Sequence, residues 1–212
     1  MTHHPVTPSV TSNPARLAAT VLAAASPGVA FAHGSFGELG GFYAGMLHPV
    51  AAPVHLLATI ALGMLLGKEG QVGAARTLPA IVVGCLLGFL LAPPDAAIAV
   101  QVGLLAAIAL VGVLIAANLA VPWSAATLLA FATAFAIIMD SAPEATSGGE
   151  RLTTLAGTSL SVSATFVWIS ALVGCLRRPW QLIGIRIAGS WISACALLVL
   201  ALAVSAARRS GA

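Results

Sequence analysis

The chain has 212 residues, a formal net charge of +3, 59% apolar residues and only 7% charged residues. A soluble domain carries roughly 25% charged residues, so this composition excludes an ordinary soluble protein and predicts a chain embedded in a lipid bilayer. The basic residues are scattered and form no Lys/Arg-rich run, which argues against nucleic-acid binding. The three cysteines (Cys85, Cys175 and Cys195) have no metal-like spacing and are interpreted as small buried hydrophobic residues.

Residues 1–32 have the parts of a secretory signal peptide. A polar leader ends at Arg16, the apolar stretch 17–25 is too short to span a bilayer, and Ala30-Phe-Ala32 gives a small-x-small cleavage pattern. Cleavage after Ala32 would make His33 the first residue of the mature chain. We therefore predict a signal peptide over residues 1–32 and a single transmembrane helical domain over residues 33–212. The alternative is an uncleaved first helix over residues 17–32.

The remaining chain divides into about six apolar runs, separated by polar or proline-containing turns. The predicted spans lie near residues 41–67, 77–92, 96–119, 123–139, 152–176 and 182–207. The predicted fold class is therefore all-α: a polytopic membrane helical bundle of about six transmembrane helices after an N-terminal signal peptide. Glycines spaced four residues apart are expected to let these helices pack closely. They are Gly37, Gly41 and Gly45, then Gly63 and Gly67, then Gly84 and Gly88.

The distribution of charge predicts how the chain crosses the membrane. With the mature N-terminus outside, five basic residues fall in cytoplasmic loops, as the positive-inside rule requires. These residues are Lys68, Arg76, Arg177, Arg178 and Arg186. Arg208 and Arg209 are exceptions at the outer C-terminus. We expect a multi-pass membrane protein whose mature N-terminus lies outside the cytoplasm.

Two histidines and two prolines stand at the front of the first predicted span, which makes this segment the leading candidate for a functional site. On a straight helix His48 and His55 would lie about 10 Å apart along the axis. That distance is too long for one metal ion, whose bonds to nitrogen are about 2 Å. Pro49 and Pro53 predict a bent or unwound entry that brings the imidazoles together. Alternatively, each histidine hydrogen-bonds a separate partner and has a structural role only.

His33 adds a third imidazole to this region. At a free N-terminus its α-amine and its ring would form a bidentate nitrogen pair, which suits Ni(II) or Cu(II). The candidate metal ligands are therefore His48, His55 and His33. The alternative for His33 is a terminal residue without a role.

The pattern Gly41-Phe42-x-x-Gly45-x-x-His48-Pro49, followed by His55, resembles the HupE/UreJ family. The resemblance implies a small bacterial membrane protein with about six spans, often with a cleaved leader. It further implies a nickel or cobalt permease linked to hydrogenase and urease maturation.

The chain departs from that family at two motifs. The family hallmark resembles His-Pro-x-x-Gly-x-Asp-His, whereas this chain has Ala52 at the glycine position and Val54 at the aspartate position. The family also has a histidine-rich motif near the end of the fourth span. Here that region contains no histidine and offers Met139, Asp140 and Glu144 as substitute ligands.

The sequence thus leads to two hypotheses for function. The first is a permease whose cargo is Ni²⁺ or Co²⁺, with the lipid bilayer and a hydrogenase or urease maturation system as its partners. The second is a non-transporting accessory or structural membrane subunit that has lost the metal path. An enzyme is not expected, since the chain contains none of the nucleotide-binding, HExxH or GxSxG motifs. No tightly bound cofactor is expected either.

Overall fold

The computed structural model describes residues 40–91, 97–141 and 148–210, and within these ranges every regular element is an α-helix. The helices are α1 (Gly41–Ala51), α2 (Pro53–Lys68), α3 (Gln71–Leu91), α4 (Ala97–Ala116), α5 (Trp123–Asp140), α6 (Gly148–Gly174) and α7 (Pro179–Ser210). The predicted all-α fold class is confirmed. The predicted signal peptide, His33, Gly37 and Glu144 lie outside the described residues, so the expectations for them stay predictions.

The helices identify a multi-pass membrane protein, but they do not establish six spans. Helices α4, α5, α6 and α7 are each long and apolar enough to cross a bilayer. Helices α1 and α2 pass the same test only together, as a bent pair, and the apolar part of α3 (Ala75–Leu91) is shorter. The described residues therefore contain four or five candidate spans, and the sixth stays a prediction.

The first span is broken at Ala52, where the axes of α1 and α2 differ by 72°. Ala52 has φ −84° and ψ 108°, an extended conformation, while the residues on both sides are helical. A residue that precedes a proline is pushed toward this conformation, because the proline ring collides with its helical form. Pro53 also lacks the N–H that would bond the carbonyl of Pro49. The predicted proline-induced break is confirmed.

Pro49 leaves a second gap in the helical hydrogen bonds, and another helix fills it. Because Pro49 has no N–H, it cannot bond the carbonyl of Gly45 one turn earlier. The hydroxyl of Thr158 in α6 lies 3.1 Å from that carbonyl oxygen and 3.0 Å from the carbonyl oxygen of Thr154. An unsatisfied carbonyl in lipid would be costly. The Thr158 hydroxyl therefore lets α1 keep its proline and also ties α1 to α6.

Close helix contacts occur at the glycines that the sequence singled out. A Cβ atom added to Gly45 would meet the backbone of Thr154, and one added to Gly157 would meet the backbone of Phe42. The other crossings follow the same pattern: Gly63 and Gly67 face α6, Gly84 and Gly88 face α5, and Gly112 and Gly189 join α4 to α7. The predicted packing role is confirmed for the six predicted glycines that the structure describes, and the contacts of Gly41 and Gly45 fix the broken first span against α6. The contacts at Gly112, Gly157 and Gly189 were not predicted.

Replacing Gly157 by alanine should therefore lower stability by about 1–3 kcal/mol, the usual cost of inserting an atom into a packed interface. The matched control is Gly103→Ala in α4, where an added Cβ has no neighbour within 4 Å. Alanine favours helix over glycine by about 1 kcal/mol, so the control should be neutral or stabilising. Thermal unfolding in detergent measures both variants. Equal shifts of the two midpoints would contradict the close approach of α1 to α6.

Candidate metal site at the broken first span

The break at Ala52 places two imidazoles side by side. His48 lies in the last turn of α1 and His55 in the first turn of α2. Their ring centroids are 5.3 Å apart, with the ring planes inclined by 59°. Seven residues of straight helix would separate them by about 10 Å along the axis. The predicted convergence of the two rings is therefore observed in the structure.

His55 is held by a carboxylate from a distant part of the chain. Its Nε2 lies 2.7 Å from Oδ2 of Asp140, the last residue of α5. The His55 side chain is 3% exposed and that of Asp140 is 19% exposed. Opposite an ionised carboxylate, which can only accept a hydrogen bond, Nε2 of His55 would be the donor. Within the described part of the chain, Nδ1 of His55 has no hydrogen-bond partner.

Helix α2 gives His55 a rigid position. Ala58, Thr59 and all residues from Ala61 to Gly67 are buried, so this helix runs through the centre of the bundle. The hydroxyl of Thr59 donates to the carbonyl oxygen of His55 at 2.9 Å. Side chains on a well-packed helix are held more precisely than those on loops. His55 is thus the fixed member of the pair, and His48 joins it from the other side of the break.

The described residues supply a small donor set. None of them form a group of three or more His, Cys, Asp or Glu side chains that could hold a metal ion. The pair of imidazoles is what the structure brings together, and nitrogen donors of this kind suit nickel, copper and zinc. The metal-ligand roles assigned to His48, His55 and His33 stay predictions.

The opposite end of α2 is less suited to binding a divalent cation than the histidine pair is. A cavity of about 500 Å³ there is lined by Lys68, Glu69, Asn118 and Arg177, among others. Lys68 donates to the carbonyl oxygen of Leu119 and lies 3.9 Å from the carboxylate of Glu69. With two cationic side chains and one carboxylate, this lining repels a divalent cation. The histidine pair is therefore the better candidate for a metal site.

Asp140 is the part of the site that sequence reasoning did not place. The sequence offers Asp140 as a substitute ligand near the end of the fourth predicted span, but it does not indicate that Asp140 is the partner of His55. The two residues are 85 positions apart, and no local pattern connects them. The available signal was a carboxylate at the end of an apolar run, on the same predicted side of the membrane as the histidines.

These features define a multi-pass helical membrane protein with a broken, polar first span. Residues 20–200 match the family described as HupE / UreJ protein, and the chain belongs to that family. The family is associated with nickel and cobalt transport or with an accessory function, and with metal handling for hydrogenase and urease. Comparison with curated proteins gave no match, and neither did comparison with solved structures.

Proposed function

We propose that the protein is a permease for a divalent transition-metal ion, nickel or cobalt, in the bacterial inner membrane. The observation that carries this proposal is the 5.3 Å separation of His48 and His55 at the proline break. Imidazoles buried in a membrane are costly and are retained where they line an ion path. Broken helices are the usual place for ion sites in transporters, because they combine side-chain and backbone ligands.

The proposed path runs inward along α2. The mature N-terminus lies in the periplasm, where His33 and His48 capture the ion. His55 receives it at the start of α2. Few protein ligands at each position keep binding weak enough for the ion to leave again, which conduction requires. The basic residues Lys68 and Arg177 lie at the other end of the bundle, which fits a cytoplasmic location for that end.

Uptake of radioactive nickel and cobalt tests the proposal. The full chain is produced in bacterial cells that lack their own nickel and cobalt uptake systems, and is compared with the empty vector. Uptake of one ion above the vector level is expected, at equal growth and with the protein detected in the membrane. The purified protein should also admit that ion into vesicles containing a metal-sensitive dye. Uptake equal to the vector for both ions would reject transport.

The second hypothesis is a non-transporting accessory or structural subunit. It is favoured by Val54, which stands where the family motif has aspartate, and by the lack of histidine near the end of the fourth predicted span. Both changes remove groups that would attract a divalent cation. Under this hypothesis the bundle and the histidine pair are kept, but no ion crosses.

The substitution Val54→Asp distinguishes the two hypotheses. If the protein is a weakened permease, a carboxylate beside His55 should raise uptake by up to about tenfold, equivalent to about 1.4 kcal/mol of added ion affinity. Val54→Asn is the control. Asparagine has the same shape as aspartate but carries no charge, so this variant should not raise uptake. No increase with Val54→Asp, at equal protein levels, would support the accessory hypothesis.

A further inference from the structure

We propose that Asp140 is a positioning residue: it accepts the Nε2 hydrogen of His55 and so directs the Nδ1 lone pair toward the cation. This inference rests on the proposed function, since the cation is the transported ion. The contact that carries it joins Nε2 of His55 to Oδ2 of Asp140 at 2.7 Å.

The contact with Asp140 implies one tautomer for a neutral His55. A neutral imidazole has one nitrogen that donates and one that accepts. Because the carboxylate of Asp140 accepts from Nε2, the accepting nitrogen is Nδ1. That atom is buried and has no hydrogen-bond partner among the described residues. A buried acceptor without a partner is destabilising, so an occupant is expected at this lone pair.

The arrangement is the one that ligating histidines adopt in metal sites. Such a histidine donates its second ring N–H to a carboxylate or carbonyl, which fixes its orientation and makes the ligating nitrogen more basic. The ring of His48, 5.3 Å away between centroids, supplies a second imidazole beside His55. A cation between the rings would have one imidazole on each side of the break.

Asp140 acts through His55 and not as a ligand itself. Among the described residues, no three potential ligands converge on one point, so the carboxylate does not join the two imidazoles there. Helices α1 and α2 have no acidic residue in their first turns, and Val54 beside His55 is apolar. The carboxylate that holds His55 therefore comes from α5, which also ties the end of that helix to the break.

The test uses the full chain, purified in lipid nanodiscs and labelled with ¹⁵N-histidine. Asp140→Leu removes the acceptor at similar size, and Asp140→Asn keeps an acceptor oxygen without the charge. Ser141→Ala is the matched control, since this next residue donates its hydroxyl to the carbonyl oxygen of Ile137. Nitrogen chemical shifts report the His55 tautomer, with His55→Ala identifying its signals, and calorimetry measures nickel and cobalt affinity.

We expect a proton on Nε2 in the wild-type, Asn and control proteins, and a mixture of tautomers in Asp140→Leu. Affinity should fall about 10–100-fold in Asp140→Leu, the usual effect of losing such a partner, and less in Asp140→Asn. An unchanged tautomer and affinity in Asp140→Leu would overturn the inference alone. Equal loss of affinity in both variants, without a tautomer change, would make Asp140 a ligand and also overturn it. A wild-type protein that binds neither ion would instead contradict the proposed function.

Discussion

Replacing His55 by alanine is expected to reduce nickel or cobalt uptake to the level of cells without the protein. His55 is 2% exposed and fixed at the start of the central helix, so its replacement removes one of the two imidazoles at the break. His48→Ala should have the same effect, because one imidazole alone cannot hold the ion between the two helices. Uptake of radioactive metal per unit of membrane-inserted protein is the measurement.

A control is needed because His55→Ala also leaves Asp140 without its partner. Ser193→Ala removes another buried polar group, next to Gly112 at the contact of α4 with α7. It should leave uptake unchanged. Membrane levels of all variants are compared by immunoblot. If both histidine variants are inserted normally and transport at the wild-type rate, the histidine pair has no part in transport.

Hydropathy predicts the central spans well, because lipid requires a continuous apolar run. The expected spans 96–119 and 123–139 correspond to α4 (Ala97–Ala116) and α5 (Trp123–Asp140). Agreement is closest where a proline or a polar turn stops both the apolar run and the helix. At such a point the apolar run and the helical backbone hydrogen bonds end close together.

Hydropathy predicts the ends of helices less well where they extend beyond the apolar core. Helix α6 begins at Gly148, one turn before the expected start at residue 152, and α3 begins at Gln71 instead of residue 77. A polar first turn can form backbone hydrogen bonds as well as an apolar one can, but hydropathy does not detect it. Pro79 lies inside α3 without ending it. A proline therefore marks a break only together with its surroundings, as at Ala52.

In the candidate site, features caused by neighbouring residues could be predicted from the sequence, whereas contacts between distant residues could not. The break at Ala52 could be predicted because its cause is the next residue, Pro53. The convergence of His48 and His55 follows from that break. The contact of His55 with Asp140 could not be predicted, because it depends on how α5 packs near α2. The hydroxyl of Thr158 on the carbonyl of Gly45 is a distant contact of the same kind.

Substituting Pro53 by alanine is expected to weaken nickel or cobalt binding by at least about tenfold, or about 1.4 kcal/mol, although both histidines remain. Alanine supplies the N–H that can bond the carbonyl of Pro49, and Ala52 is freed from the restriction that precedes a proline. Helices α1 and α2 can then join, and the imidazoles move toward the roughly 10 Å axial separation of a continuous helix. Calorimetry on the purified protein measures the affinity.

Copper(II) as a spectroscopic probe separates a change of geometry from a loss of folding. Pulsed electron paramagnetic resonance counts the imidazoles bound to the ion, and we expect two in the wild-type protein and one in Pro53→Ala. Pro79→Ala is the matched control, because α3 passes through that proline without a break. It should leave both the imidazole count and the affinity unchanged. Two bound imidazoles and wild-type affinity in Pro53→Ala would show that the proline break is not what brings His48 and His55 together.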